Sequence, residues 1–89
     1  MKQHLNIKIS GRVQGVFFRD MAKKRADELG LKGFIRNESG GTVYVEVEGG
    51  ESAIGEFVKW CRRGSASAKV EKVEVKDGDF GNFSDFSVL

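Results

Sequence analysis

The stretch that decides the fold is residues 42–48, with the sequence TVYVEVE. Its valines stand at every second position, which is the period of a β-strand that buries one face. Residues 33–37, GFIRN, form a shorter run with an apolar centre, and residues 39–41, SGG, separate the two runs as a flexible turn. Together they predict a β-hairpin. Because only the valine face is apolar, we expect helices to cover that face of the sheet.

The chain before this hairpin predicts a strand followed by a helix. The strand is indicated by apolar residues at alternate positions, namely Leu5, Ile7 and Ile9. Residues 11–16 contain two glycines and end this alternation. The helix is indicated by apolar residues at helical spacing, namely Phe18, Ala22, Ala26 and Leu29. We expect Gly30 to end the helix as its C-terminal cap.

The chain after the hairpin predicts a second helix and two more strands. The helix is indicated by apolar residues at helical spacing, namely Ile54, Phe57, Val58 and Cys61, and it should end at Gly64. The next strand is indicated by Val70, Val73 and Val75. The odd step from Val70 to Val73 predicts a bulge or a later strand start. Phe86 and Val88 indicate a short final strand.

The predicted order β-α-β-β-α-β, with a short strand appended, is that of a ferredoxin-like α+β sandwich. We therefore expect an antiparallel sheet with both helices on one face. A chain of 89 residues is long enough for one hydrophobic core, so residues 1–89 are predicted to form a single domain. This fold hosts enzymes, RNA binders, metal carriers and ligand sensors, so the function has to be argued from a site.

Composition excludes several classes of function. The net charge of +2 is too small for the concentrated positive field of a non-specific nucleic-acid binder, whereas small anions stay compatible partners. No apolar stretch is long enough for a signal peptide or a membrane span, so we expect a cytoplasmic protein without a membrane partner. Cys61 is the only cysteine, which excludes an internal disulfide, and its register predicts a buried thiol. We expect a monomer.

Residues 11–19 connect the predicted first strand to the predicted first helix. Free N–H groups and the helix dipole both favour an anion at such a junction. Gly11 and Gly15 allow the backbone bends with which successive N–H groups converge on one oxyanion. Arg19 falls in the first helical turn, against the positive end of the dipole, which is unfavourable unless an anion lies between them. From the residues alone, a solvent-exposed Arg19 without a ligand explains the pattern equally well.

Two sequence motifs resemble those of the acylphosphatase family. The first is similar to the signature loop of that family and consists of Gly11, Arg12, Val13, Gln14, Gly15, Val16, Phe17, Phe18 and Arg19. The second, a glycine and an aromatic residue followed shortly by an asparagine, is similar to residues 33–37, and a glycine turn follows at residues 40–43. With the matching order of strands and helices, the resemblance covers nearly the whole chain.

The resemblance implies hydrolysis of the carboxyl-phosphate bond of small acyl phosphates to a carboxylate and inorganic phosphate. It implies that the N–H groups of residues 11–18 and the guanidinium of Arg19 hold the phosphoryl group, and that the amide of Asn37 orients the attacking water. This small set of functional groups is sufficient for phosphoryl transfer, which depends on positioning and charge stabilisation. The carboxylate leaving group is a weak base, so no strong general acid is required. No cofactor is expected.

The remaining titratable residues that we considered receive structural roles. His4 is the only histidine and lies far in sequence from the loop, so we expect no catalytic role for it. Because half-exposed histidines are usual, we expect it at the surface. Asp20 is explained by the helix dipole alone. Residues 11–19 offer neither the carboxylates of a magnesium site nor a Gly-Lys-Ser/Thr run. We therefore expect hydrolysis without a metal ion.

The chain departs from the family pattern in two places. Ser65 and Ala66 stand where prolines are common, and residues 39–40, Ser-Gly, replace the more usual Asp-Gly turn. We expect neither departure to touch the proposed site. Both concern the conformational freedom of connections, which the complete absence of proline increases.

Two other functions are compatible with the predicted fold. Residues 32–34, Lys-Gly-Phe, resemble the start of an aromatic RNA-recognition motif. That motif needs several aromatic residues on the third strand, where Tyr44 stands alone, so RNA binding is disfavoured. A regulatory domain that keeps the loop but has lost turnover stays open as the second alternative. The presence of both Arg19 and Asn37 favours an enzyme, since a pure binder has no evident use for a water-orienting amide.

Overall fold

The computed structural model describes the chain from residue 1 to residue 89. Its elements, in chain order, are β1 (Lys2–Arg12), α1 (Phe18–Glu28), β2 (Lys32–Asn37), β3 (Val43–Gly50), α2 (Glu51–Arg63), β4 (Lys69–Asp77) and β5 (Phe86–Val88). The order is the predicted one, including the short final strand. β1 and β4 extend beyond their apolar residues because they continue to pair with each other there. Neither helix has the length and apolar character needed to span a membrane.

The strands form one sheet in the order β4-β1-β3-β2-β5. The first four strands of the chain pair antiparallel. β5 pairs parallel to β2, with Gly33 opposite Phe86, so the sheet is mixed where the sequence predicted an antiparallel one. The connection explains the difference. β4 lies at one edge, and residues 78–85 bring the chain back across the sheet to the other edge, so β5 runs opposite to β4 and in the direction of β2.

The core lies between one face of the sheet and the two helices. The valines of β3 are fully buried there, which confirms that the helices cover the valine face. The buried residues of the helices are Phe18, Ala22 and Ala26 in α1 and Ile54, Phe57, Trp60 and Cys61 in α2. Each fully buried large apolar side chain contributes about 1.5–3 kcal/mol by leaving water. The ferredoxin-like sandwich is thus confirmed, and burial raises the pKa of the Cys61 thiol, as suits a neutral core side chain.

His4 departs most clearly from the sequence-based expectation. The sequence predicts a surface residue, yet His4 is only 3% exposed. It lies on the face of the sheet that the helices leave open, where the rings of Phe80 and Phe83 lie 6.0 and 6.3 Å from its own, centroid to centroid. The prediction is wrong because no sequence pattern shows that the connection from β4 to β5 crosses this face.

Candidate functional site

The pairing of β1 with β4 contains a bulge two residues before β1 ends. Its register against β4 shifts between Ser10 and Gly11, so that Glu71 stays without a partner. This is the irregularity that the valine spacing of β4 predicts. Gly11 has a φ of 123°, and a Cβ atom there would overlap main-chain atoms of Lys69 and Glu71. Only glycine fits this position.

The loop between β1 and α1 is anchored in the core by two of its residues. Val13 and Val16 are buried, whereas Gly15 and Phe17 are exposed. Gly15 and Phe17 adopt left-handed backbone conformations, with φ values of 72° and 62°. This conformation is uncommon for a residue other than glycine and costs about 1–3 kcal/mol, a strain that is typical of functional sites.

The main-chain N–H groups from residue 13 to residue 20 donate no hydrogen bond within the protein. The first of them belong to the loop, and the last belong to the first turn of α1, which has no side-chain cap. N–H groups at the start of a helix and the positive end of its dipole attract anions. The junction of the loop and α1 therefore attracts an anion with donors that the protein itself does not use.

A cavity of about 260 Å³ lies where the loop meets the start of α1 and the end of β2. Its lining consists of Val13, Gly15, Phe17, Phe18, Arg19, Asp20 and Asn37. The cavity thus brings together the two predicted catalytic residues, which are distant in the chain, and part of the predicted loop. The predicted loop residues outside this lining are Gly11, Arg12, Gln14 and Val16.

The guanidinium of Arg19 makes one hydrogen bond within the protein, to the residue that follows β5. Its Nη1 atom donates a hydrogen bond of 2.8 Å to the main-chain oxygen of Leu89, which is 70 residues away in sequence. The remaining guanidinium N–H groups have no partner among the protein's hydrogen bonds and are free to meet an anion. Because the contact restricts the side chain beforehand, less conformational entropy is lost when a ligand binds.

Asn37 is the last residue of β2 and faces the helices. It pairs with the buried Val43 and lies two residues after the buried Ile35. Its side chain therefore points to the same side of the sheet as the side chains of Val43 and Ile35. Its Oδ1 atom is buried and has no hydrogen-bond partner. A buried acceptor without a donor costs about 1–3 kcal/mol, and most such atoms in proteins are satisfied. Asn37 therefore offers an acceptor to a ligand in the cavity.

Two side chains outside the cavity lining connect the loop to other segments. Nε2 of Gln14 donates to the main-chain oxygens of Glu38 and Thr42, at 2.9 and 2.8 Å. Oγ of the buried Ser65 donates to the main-chain oxygen of Val16 at 2.6 Å. The expectation that Ser65 does not touch the site is wrong, because it contacts the main chain of the loop. No sequence signal reveals either bond, since each joins segments that meet only on folding.

The lining of the cavity contains a single carboxylate, that of Asp20. Asp20 is exposed in the first turn of α1, where the helix dipole favours an acidic side chain. No group of three or more histidine, cysteine, aspartate or glutamate side chains is arranged to hold a metal ion. The cavity contains a set of N–H groups and one guanidinium, which suit an anion with several oxygen atoms, and one amide whose Oδ1 atom can accept a hydrogen bond from a donor.

Comparisons with known proteins agree with this chemistry. A family model described as Acylphosphatase matches residues 5–88. An acylphosphatase of a Nocardioides species is 44% identical over 88 residues, which cover 99% of this chain and 89% of that relative. The solved acylphosphatase of Coxiella burnetii superposes with a TM-score of 0.95 at 34% identity, over 99% of this chain and 93% of the other. That of Bacillus subtilis gives a TM-score of 0.95 at 33% identity, over 100% and 99% of the two chains.

Proposed function

The chain belongs to the acylphosphatase family and hydrolyses acyl phosphates, and from this premise we propose which residues of its cavity carry the reaction. The N–H groups of the loop and the guanidinium of Arg19 bind the phosphoryl group. The amide of Asn37 orients the attacking water. No metal ion and no cofactor takes part, and the products are a carboxylate and inorganic phosphate.

Binding of the phosphoryl group falls to the loop and Arg19. The N–H groups from residue 13 to residue 20 have no acceptor in the protein. The guanidinium of Arg19 donates only one hydrogen bond, to the main-chain oxygen of Leu89. Hydrogen bonds from a guanidinium to a phosphate are charge-assisted and stronger than neutral ones. Because the loop that carries them is anchored by the buried Val13 and Val16, these donors stabilise the charge that develops on the phosphoryl oxygens with little reorganisation.

The observation that carries the proposal is the unpartnered Oδ1 atom of Asn37. A water molecule that donates one hydrogen to this atom directs a lone pair of its oxygen away from Asn37 and into the cavity. Arg19 and the loop line the same cavity, which supports binding of the phosphoryl group within that space. Holding water and phosphorus in this geometry turns a bimolecular attack into an effectively unimolecular one.

The reaction forms one bond and breaks one bond at phosphorus. The water oxygen attacks phosphorus, and the bond between phosphorus and the acyl oxygen breaks with its electron pair leaving on the carboxylate. The proton of the water passes to a phosphoryl oxygen of the substrate, which yields inorganic phosphate. Since a carboxylate is a weak base, its departure needs no acid, and the cavity contains no side chain other than Asp20 that could supply one.

The donors in the cavity support the proposed independence from metal ions. Magnesium is held in phosphate sites by carboxylates together with the substrate's own oxygen atoms. Asp20 is the single carboxylate of the lining, and it is exposed at the rim. The charge of the phosphoryl group is instead met by Arg19 and the N–H groups.

Asn37→Ala tests the proposal. Turnover of acetyl phosphate should fall by about a hundredfold or more, as on loss of one preorganised hydrogen-bonding group that acts in the transition state. Competitive inhibition by inorganic phosphate should persist, because the loop and Arg19 are unchanged. The control is Asn82→Gly, which removes an exposed asparagine outside the cavity lining, suits its left-handed backbone (φ 53°) and should retain turnover. A folded Asn37→Ala protein with near-normal turnover would remove the water-orienting role.

A further inference from the structure

The side chain of Gln14 joins the two segments that carry the proposed functional groups. Gln14 stands in the loop between Val13 and Gly15, both of which line the cavity. Its Nε2 atom donates to the main-chain oxygen of Glu38, the residue directly after Asn37, and to that of Thr42. Both hydrogens of the amide nitrogen are used in these bonds. One side chain therefore connects the phosphate side of the cavity with the water side.

Apart from these bonds, the turn is supported by polar contacts within the hairpin, which include those of the Glu38 side chain with Thr42 and Arg36. Its N–H and carbonyl groups bond within the turn, from Glu38 to Thr42 at 2.9 Å and from Gly41 to Glu38 at 3.3 Å. Gly40 and Gly41 have φ values of 89° and 95°, and nothing lies within 4 Å of the place where their side chains would be. The only hydrogen bonds that reach residues 38–42 from outside the hairpin come from Gln14.

The loop, in contrast, has anchors of its own. Val13 and Val16 are buried in the core, and Ser65 donates to the main-chain oxygen of Val16 at 2.6 Å. These contacts do not involve Gln14. Loss of the Gln14 bonds should therefore leave the loop close to its conformation, while the turn and the end of β2 gain freedom relative to it.

We propose that Gln14 is a positioning residue, which holds Asn37 in register with the phosphate-binding loop. It contacts neither phosphate nor water, and the inference rests on the proposed roles of Arg19 and Asn37. A nucleophile has to lie about 3–3.5 Å from the atom that it attacks, and a misplacement of about 1 Å costs on the order of a hundredfold in rate. The bonds of Gln14 set this distance, because they run from the loop to the main chain beside Asn37.

The test is Gln14→Met, which keeps the length of the side chain and removes its N–H donors. The kcat for acetyl phosphate should fall by about ten- to a hundredfold. Inhibition by inorganic phosphate should change by less than about threefold, since the N–H groups and Arg19 stay on the loop. The matched control is Gln3→Met at the far end of β1, where Gln3 pairs with Gly49, and it should leave both quantities unchanged. Unchanged kcat in Gln14→Met, or equal losses of kcat and phosphate affinity, overturns the inference.

A double-mutant cycle separates this inference from the proposed function. If Gln14 acts through Asn37, adding Gln14→Met to Asn37→Ala should cause little further loss of kcat, because coupled effects do not multiply. If the two losses multiply, Gln14 does not act through Asn37 and the inference fails. Near-normal turnover of Asn37→Ala alone would instead contradict the proposed function.

Gln14→Glu decides the question if Gln14→Met does not fold. A carboxylate has no donor for the two main-chain oxygens, whereas a protonated carboxyl group has one. The kcat of this variant relative to the unmodified protein should therefore rise as the pH falls toward the pKa of glutamate, about 4.3. A ratio that does not change with pH contradicts a positioning role for these bonds.

Discussion

The cavity beside the loop and the cluster around His4 both hold polar groups away from solvent, but only the cluster satisfies them. In the His4 cluster, formed by His4, Asn6, Glu46 and Glu48, Nδ1 of the histidine bonds to Glu48 at 2.7 Å. Its Nε2 faces Asn6 at 3.0 Å and Glu46 at 3.1 Å. Glu48 also accepts the main-chain N–H groups of residues 81 and 83, at 2.8 and 3.1 Å. In the cavity, by contrast, Oδ1 of Asn37 and the loop N–H groups have no partner.

Whether polar groups have hydrogen-bond partners distinguishes a structural cluster from a functional site better than the types of residue do. A histidine between two carboxylates looks like a catalytic site by composition, and an arginine with an asparagine does not. Yet polar groups that are paired with one another stabilise a fold, whereas polar groups left free at a cavity are kept for a ligand. Changes in the cavity should therefore alter turnover more than stability, and changes in the His4 cluster should alter stability more than turnover.

The largest expected effect is that of Arg19→Gln on turnover. Turnover of acetyl phosphate should fall by about a thousandfold, since an arginine that stabilises the charge of a transferring phosphoryl group contributes at least this much. Unlike in Asn37→Ala, inhibition by inorganic phosphate should also be lost, because the charge-assisted contact serves the ground state as well. Steady-state kinetics with phosphate as inhibitor measures both.

Circular dichroism and thermal unfolding provide the control for Arg19→Gln. Its side chain makes one hydrogen bond, to the main-chain oxygen of Leu89, so the folded state should survive. Retained inhibition by phosphate would contradict the binding role of Arg19 and with it the comparison of the two sites.

The next largest effect is that of His4→Leu on stability. His4→Leu removes the hydrogen bond to the buried carboxylate of Glu48, which keeps those from the N–H groups of residues 81 and 83. Loss of one partner of a buried, charged hydrogen-bonding group costs about 1–3 kcal/mol. The free energy of unfolding should therefore fall by this amount, while turnover of the folded variant stays within about twofold of normal. Denaturant titration and initial rates measure the two quantities. A His4→Leu protein that is fully stable but inactive would reverse the comparison.

The same cluster should limit stability to a window of pH. Burial disfavours the charged form of His4, but hydrogen bonds to Glu48, Asn6 and Glu46 outweigh it and raise its pKa above 6.5. Burial likewise opposes the charge of Glu48, but bonds to His4 and to the N–H groups of residues 81 and 83 lower its pKa below 4.5. The contribution of His4 to the free energy of unfolding is thus complete below pH 6.5, and it is lost as the pH rises through the pKa of His4 in the folded state. The contribution of Glu48 is present above pH 4.5, and it is lost as the pH falls through the pKa of Glu48 in the folded state.

Denaturant titration over a range of pH checks this window. The unmodified protein should lose stability as the pH rises above 6.5, and His4→Leu should lack that decline. The assignment is direct because His4 is the only histidine. A decline of equal slope in both proteins would show that another group is responsible.

The smallest expected effect is that of a chelator, which should leave turnover unchanged. In the proposed mechanism Arg19 and N–H groups meet the phosphoryl charge, and the lining of the cavity has Asp20 as its single carboxylate. Initial rates with acetyl phosphate in excess EDTA, with and without added magnesium, measure this. Activity that vanishes with EDTA and returns with magnesium would mean that the donors of the cavity need a metal ion beside them.

Much of the fold can be predicted from local patterns, because periodicity records which face of an element is buried. The alternating valines of residues 42–48 predicted β3 and the covered face, and the spacing of Ile54, Phe57 and Cys61 predicted α2. The bulge opposite Gly11 was visible as an odd step between valines of β4. The loop and the asparagine motif identified the family, and with it Arg19 and Asn37 as candidates. All of these signals lie within short segments of the chain.

Tertiary structure alone decided how these segments meet. The direction of β5, the burial of His4 beneath residues 78–85, and the contact of Arg19 with Leu89 each join parts of the chain that are far apart in sequence. So do the bonds of Gln14 to the turn after Asn37 and that of Ser65 to the loop. The physical reason is that periodicity reports burial against an unspecified partner, whereas a hydrogen bond depends on the relative position of two segments to within a fraction of an ångström.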